Sequence, residues 1–441
     1  MTNYGTYRAF DILYDTGGQP VDPSADAELI VWLSTVEGKQ TTDLVLISHG
    51  WNNDISEARQ LYADFFAAMA SVQKTEKVVL DRIFAIAAVF WPSKRFADSD
   101  LIPGGAAAIG PTVAAQLNAQ LDQLKLILAA DPTTADKIEH AREQIPKLEV
   151  SQSAQDDFVF ALASALPSAR GDNDEGLDDS ITSVKSGSVP GHTVLARLSA
   201  PVFPAFPLPV GSGGHALGLG GIVDGLTSAA SRLANLFTYY TMKDRAGIVG
   251  RTGVLHTILN IQAAAPSLRL HLVGHSFGGR LVTAAANALS APKTIASLLL
   301  LEAAYSHNGL AQNWDLNGDD GSFRSVISLP KIGGNTLITH SVHDTAVGIA
   351  YPLASRIMNQ VASAVIGGPD DKFGGMGRNG AQHTPEAFDD FLQPVGQLYA
   401  ALPGGKTIRN LNGDGPPPKP TINSHSDVAK PEIAWAWLSG L

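Results

Sequence analysis

The feature that most constrains this chain is a series of short, almost wholly apolar runs separated by stretches of helical period. The runs are Asp43-Leu44-Val45-Leu46-Ile47-Ser48, Ile83 to Phe90, Leu268 to Val273, Ser297 to Leu301 and Asn335 to His340. A strand with one face in water alternates apolar and polar residues. These do not, so both faces must be covered, as in a mostly parallel sheet with helices on either side. The intervening stretches supply the helices. Asp54-Ile55-Ser56-Glu57 offers a cap with an acid three residues on, ahead of Leu61, Phe65 and Met69 on one helical face. After Gly278-Gly279, the run from Arg280 to Leu289 is rich in alanine, as a helix lying close on a sheet requires. The fold class expected is therefore α/β.

From Phe96 to about Leu236 the pattern changes. Val113, Leu117, Leu121, Leu124 and Leu128 form one helical stripe, and Phe158, Leu162 and Leu166 point to a second helix. An acidic stretch, Asp172 to Asp179, reads as an exposed loop. Pro201-Val202-Phe203-Pro204-Ala205-Phe206-Pro207-Leu208-Pro209 and a glycine-rich run to Gly221 follow. This block, 96–236, is expected to be a cap inserted between strands of a core formed by 1–95 and 237–441. A chain of 441 residues is long enough for such a domain with its insertion.

Composition removes several classes of function. Lys and Arg number 31 against 42 Asp and Glu, a net charge of −11, and the basic residues form no run. Phosphate recognition needs clustered cations, so nucleic acid is not an expected partner. The chain contains no cysteine, which excludes disulfides, thiolate metal sites and a cysteine nucleophile. Its first residues lack the basic start and apolar stretch of a signal peptide. The longest uncharged stretch, Leu198 to Val223, is broken by prolines and glycines and cannot serve as a spanning helix. A soluble, cytoplasmic protein without stable membrane insertion is expected.

The chemistry is concentrated in Leu272-Val273-Gly274-His275-Ser276-Phe277-Gly278-Gly279. A G-x-S-x-G motif can arise by accident in a chain with 43 glycines. Here a strand runs into it and an alanine-rich helix leaves it, which is the setting a nucleophile elbow requires. The serine sits on a strained turn with its hydroxyl above the sheet. Residues two before and two after must lack side chains, and Gly274 and Gly278 do. With Ser48-His49-Gly50-Trp51 after an early strand, and an acid and a histidine downstream, the sequence resembles the α/β-hydrolase superfamily. The likeness is greatest to its lipase- and esterase-like members and covers the chain apart from the insertion.

That resemblance implies a Ser-acid-His triad in this chain order. A lone serine is a poor nucleophile and needs a base, which an acid must orient. The family places the acid just past a late strand, where Asp344 stands in His343-Asp344-Thr345; Glu302, ending the run Leu298 to Leu301, is its rival. The base belongs near the C-terminus, before the last helix. His425 is the only one of twelve histidines after His383 and precedes the expected helix Pro431 to Leu438; His383 is the fallback. Asp427 reads as a local turn residue. The backbone N–H groups of Trp51 and Phe277 are expected to hold the oxyanion, and His49 to be structural.

Other patterns carry less. Asp315-Leu316-Asn317-Gly318-Asp319-Asp320-Gly321 has Asp320 where a calcium loop needs glycine and Val326 where it needs Glu. Gly374-Gly375-Met376-Gly377 follows no apolar strand and reads as a flexible loop. No metal or organic cofactor is implied. The expected activity is hydrolysis of a carboxylic ester through an acyl-enzyme, with a small-molecule ester as the partner and homo-oligomerisation left open. Amidase, thioesterase or acyltransferase chemistry on the same machinery is the alternative, as is a catalytically silent binding module. The insertion is expected to roof the site and choose the acyl chain. Replacing Phe203 and Phe206 with serine should then change preference along a series of esters of graded acyl length while labelling of Ser276 by a fluorophosphonate persists. An unchanged profile would remove the region from substrate choice.

Overall fold

The computed structural model describes residues 2–51, 53–93, 113–128, 132–167, 182–199, 203–204, 225–290, 292, 295–315, 317–344, 346–348, 365–366, 368–371, 373–415 and 420–441. Among these, the strands in chain order are β1 (Thr2–Tyr4), β2 (Tyr7–Leu13), β3 (Asp43–Ser48), β4 (Phe84–Phe90), β5 (Phe203–Pro204) and β6 (Arg269–His275). They continue as β7 (Ser297–Leu301), β8 (Thr336–His340), β9 (Val365–Ile366), β10 (Ala387–Phe391) and β11 (Ile408–Asn412). β5 and β9 pair with each other; the other nine form one sheet in the order β1-β2-β4-β3-β6-β7-β8-β11-β10. Only β1 runs antiparallel to its neighbour, and every other pairing is parallel.

The five apolar runs all become central strands. Four strands of the nine-stranded sheet, β1, β2, β10 and β11, have no counterpart among them. β2 (Tyr-Arg-Ala-Phe-Asp-Ile-Leu) interrupts its apolar residues with Arg8 and Asp11, and the latter is paired by Arg59 at 2.8 Å. β1 is only three residues long. β11 carries Arg409 and Asn410, both buried, and β10 carries Asp389 and Asp390 to pair them. Polar strands stabilised by one another leave no hydrophobic period to read.

The sheet is covered on both faces, as the unbroken runs require. Val45, Ile47, Ile86, Val273, Leu299 and Leu337 pack against helices Ile55–Glu76 and Pro431–Leu438. The alternate residues, including Leu44, Leu46, Leu272 and Leu298, are equally buried, on the side of helices Pro23–Leu33 and Phe277–Ala288. The Asp54 capping box forms as its sequence indicates: Glu57 N–H donates to Asp54 Oδ1 at 2.9 Å, and Asp54 N–H donates to Glu57 Oε2 at 2.7 Å.

The chain divides into two compact units, one of Met1–Lys94, Arg245–Val347 and Gly375–Leu441, the other of Arg95–Asp244 and Gly348–Gly374. The nine-stranded sheet belongs to the first. The second contains helices Val113–Leu128, Pro132–Gln144, Gln152–Ala165 and Gly191–Ser199, with Leu117, Leu121, Leu124, Phe158 and Leu162 buried. In it, the Glu149 carboxylate accepts from the N–H groups of Leu226 and Thr227 at 3.2 and 2.8 Å, capping the helix Leu226–Val249. The acidic stretch 172–179, residues 201–202 and 205–210 of the proline-rich run, and the glycines that follow lie outside the described residues. No described helix is long and apolar enough to cross a membrane.

At the amino edge of the sheet the strands are tied by a polar network centred on buried Asp43. Asp43 is fully buried and takes Arg269, Arg82 and His271 at 2.8, 3.0 and 2.9 Å. His271 Nδ1 meets Ser297 Oγ at 2.7 Å, and Trp437 Nε1 donates to the same oxygen at 3.0 Å. Burial alone would raise the Asp43 carboxyl, but hydrogen bonds from Arg269, His271 and Thr42 outweigh it and hold the group well below its ordinary range. A depressed folded-state pKa stabilises above the unfolded value, about 4, and that contribution is lost as pH falls through the folded one. Asp43→Asn should therefore cost roughly 3 kcal/mol at neutral pH. In urea unfolding the gap to wild type should narrow as pH falls below about 4; a gap independent of pH would refute the ionised network.

Candidate active site

Parallel pairing places the carboxyl ends of the strands along one edge, with Ser48 opposite Gly274, His275 opposite Leu301, and Leu301 opposite Thr339. From β3 the chain moves to β4 on one side, whereas β6, β7 and β8 follow on the other. The reversal lies between β3 and β6, and open α/β sheets bind ligands at the carboxyl edge of such a point. Ser276 follows β6 directly, and Gly50 lies just past β3.

The turn at Ser276 is strained. Its φ is 56° and ψ −125°, a conformation that L-residues rarely adopt. It is held by Ser276 N–H to Leu301 O at 3.0 Å, and by Gly279 and Ala304 N–H groups on Ser276 O at 2.9 and 3.0 Å. Neighbouring glycines make the turn possible. A Cβ on Gly278 would lie 2.2 Å from Ser48 O and 2.5 Å from His49 O, and one on Gly274 would lie 2.4 Å from Gly278 O. These are the close approaches that the motif spacing requires.

Three side chains from distant parts of the sequence meet at this edge. His425 Nε2 is 2.8 Å from Ser276 Oγ, and His425 Nδ1 is 2.9 Å from Asp344 Oδ2. The Asp344 side chain is fully buried, while the His425 side chain keeps 20% exposure. Asp344 Oδ1 also accepts from Val347 N–H at 2.9 Å, so the residue caps its own turn and orients the histidine. The turn is braced on both sides: Asp414 Oδ1 accepts from Ser341 Oγ and Val342 N–H at 2.7 and 3.0 Å, and Ser341 N–H reaches Gly377 O at 3.0 Å.

The remaining candidates separate clearly. His383 bonds Asn308 Oδ1 at 2.8 Å and takes no part in the Ser276–His425–Asp344 chain. Asp427 bonds Asn423 and Lys430, a local turn. His49 stacks on Trp91 and places Nδ1 2.9 Å from Gly50 O; burial pushes it down to about 4, so it stays neutral and structural. Gly50 lies against Ser276, since a Cβ there would be 2.5 Å from Ser276 Cβ. The next residue, Trp51, follows at the same edge, and Phe277 opens the helix after Ser276, where first-turn N–H groups point outward along the helix axis. Glu302, the rival acid, is fully buried at the end of β7 and makes no bond to His425.

Two features of the site went unread in the sequence. His275, the variable position of the motif, sets Nε2 2.9 Å from the backbone O of His425 and so holds the loop that carries His425. Burial, then the charge of His425, push it down to about 3, leaving a neutral ring that donates from Nε2. The glycine cluster is the other. Gly374-Gly375-Met376-Gly377 is no flexible loop: Met376–Asn379 forms a buried helical turn, with Met376 and Gly377 N–H groups on Tyr305 O and Ala303 O at 2.8 and 2.9 Å. Glycine there serves close packing against strand ends, which a strand-based pattern does not register.

Among the described residues, no three His, Asp or Glu side chains converge as a metal site. Comparison with protein-family models, with characterised proteins and with solved structures finds no significant match. Gly278→Ala must push the helix off β3 and Ser276 with it. It should cost about 1–3 kcal/mol in thermal unfolding and abolish reaction of Ser276 with a fluorophosphonate, read by intact mass. Unchanged stability and labelling would refute the close approach.

Proposed function

We propose that this protein is a serine hydrolase of the α/β-hydrolase type that cleaves carboxylic esters through an acyl-enzyme. The observation that carries the reading is the hydrogen-bonded chain Ser276–His425–Asp344, closed at 2.8 and 2.9 Å around a serine on a strained turn. Strain and alignment of this kind cost on the order of 1–3 kcal/mol and persist where the surroundings enforce them.

In the proposed reaction His425 Nε2 takes the proton from Ser276 Oγ as the oxygen attacks the ester carbonyl carbon. The resulting oxyanion is received by the N–H groups of Phe277 and Trp51. His425 Nε2 returns the proton to the leaving alcohol oxygen, which breaks the C–O bond and leaves Ser276 acylated. Water repeats the sequence on the acyl-enzyme, releasing the acid. Asp344 accepts from His425 Nδ1–H throughout, which keeps Nε2 free to receive a proton and stabilises the imidazolium once formed. His275 holds the backbone of the base during this cycle.

The triad does not choose the leaving group, so esters, thioesters and amides are separated by the pocket rather than by these residues. A binding module without chemistry would not need a strained serine aligned on a histidine and a buried acid. Wild type should take up one equivalent of a fluorophosphonate at Ser276, and Ser276→Ala should take up none. Against a panel of aryl esters, Ser276→Ala and His425→Ala should each lower turnover by on the order of 10⁴-fold, and Asp344→Asn should also be severe. Labelling at another serine, or turnover that survives in Ser276→Ala, would overturn the proposal.

A further inference from the structure

Adjacent parallel strands lie about 4.8 Å apart, and the segments that leave β7 and β8 each carry a carboxyl group. Glu302 is the residue directly after β7, and Asp344 closes the turn after β8. Both are fully buried. The short turn Met376–Asn379 clamps them from one side: a Cβ on Gly377 would lie 2.5 Å from Glu302 C and 2.8 Å from Asp344 Oδ2. Glu302 is held there in a left-handed conformation with φ 45°, so its position is enforced by the fold.

The two carboxyls have different surroundings. Asp344 receives Val347 N–H on one oxygen and His425 Nδ1 on the other. Neither oxygen of Glu302 meets an aligned donor. Thr339 lies close, but its hydroxyl accepts from Glu302 N–H at 3.2 Å and turns toward Leu300 O at 3.5 Å. The acids Asp344 and Asp414 both act on Glu302, and Thr339 lies beside it. Arg378, a cation of this region, donates to the backbone oxygens of Val342 and Asp344 at 2.7 and 3.3 Å. A buried carboxyl among acceptors is satisfied in one way: it keeps its proton and donates it.

We propose that Glu302 is a neutral positioning residue, donating its carboxyl O–H to Asp344 and so fixing the acid that orients His425. This rests on the triad reading given above. Glu302 thereby supports the triad from behind without competing for the histidine. Burial, and after it the negative charge of Asp344, push the Glu302 carboxyl well above the usual range. A folded-state pKa raised above the unfolded one makes ionisation of the unfolded chain work against folding. Glu302 thus lowers stability progressively as pH rises above about 4.

The test compares Glu302→Gln, which keeps a donor, with Glu302→Leu, which does not. The infrared difference spectrum of wild type minus Glu302→Gln at pH 7 should show the carbonyl band of a protonated carboxylic acid. Carboxylate bands alone would overturn the proposal without reference to activity. The melting temperature of Glu302→Gln relative to wild type should rise between pH 4 and pH 8; a constant difference would count against a retained proton. With esters, Glu302→Gln should stay within a few-fold of wild-type kcat. Glu302→Leu should lose ten-fold or more in kcat, with little change in KM and a displaced acid limb of the pH profile. Equal losses in both variants, or none in Glu302→Leu, would overturn the positioning role. Fluorophosphonate labelling of wild type is the separate control. Its absence would sink the hydrolase reading, and the infrared and melting results would still decide the protonation of Glu302.

Discussion

The site depends on parallel alignment of strands that are far apart in sequence. Because β3, β6, β7, β8 and β11 run in one direction with matched ends, everything that follows them emerges at one edge. Ser276, Glu302, Asp344 and His425 lie far apart in the chain, the first and the last separated by 149 positions. None could meet another through local structure. With both faces apolar and buried, the register is set by the sizes and shapes of the side chains packed on each face, because a close-packed interior does not tolerate the misfit that a slip would bring. The energy that aligns the polar site is therefore spent in a core that contains no part of it.

The two edges of the sheet make an instructive contrast. At the amino edge, Asp43, His271 and Ser297 form a Ser-His-Asp chain with bonds of 2.9 and 2.7 Å, much like the carboxyl-edge chain in composition and spacing. It is sealed: His271 is 1% exposed and the other two are 0% exposed. Its serine is held in regular strand geometry and accepts from Trp437, so that oxygen has a hydrogen-bond partner on each side. Ser276 differs in two respects. Its backbone is strained outward at φ 56°, and its histidine keeps contact with solvent. Residue types and distances alone would not separate a structural network from a candidate catalytic one; strain and access do.

Much of this arrangement is legible in the sequence. The runs Asp43 to Ser48 and Ser297 to Leu301 coincide with strands because continuous apolar sequence leaves few other options. The elbow residues were legible because glycine spacing records a steric requirement at Ser48 and Gly278. Asp344 and His425 could be picked by order along the chain, and the structure brings both to Ser276. What remained hidden is stabilised by partners rather than by period. β10 and β11 exchange Asp390 with Arg409 across the pair, and Gly377 owes its place to two strand ends more than thirty residues away. A one-dimensional pattern carries no trace of such pairings.

Glu302 illustrates the same limit from the side of charge. Position along the chain made it a rival to Asp344, because either strand end can present a carboxyl to a histidine. Geometry separates them through hydrogen-bond direction: the Val347 N–H and the His425 ring converge on Asp344, whereas Glu302 faces acceptors. Two ionised carboxylates so close would repel each other and disfavour one charge. A proton held between them removes that repulsion and turns a competing acid into a donor. On this view the buried pair is one acid in two parts. One part faces the base, and the other prevents it from turning away.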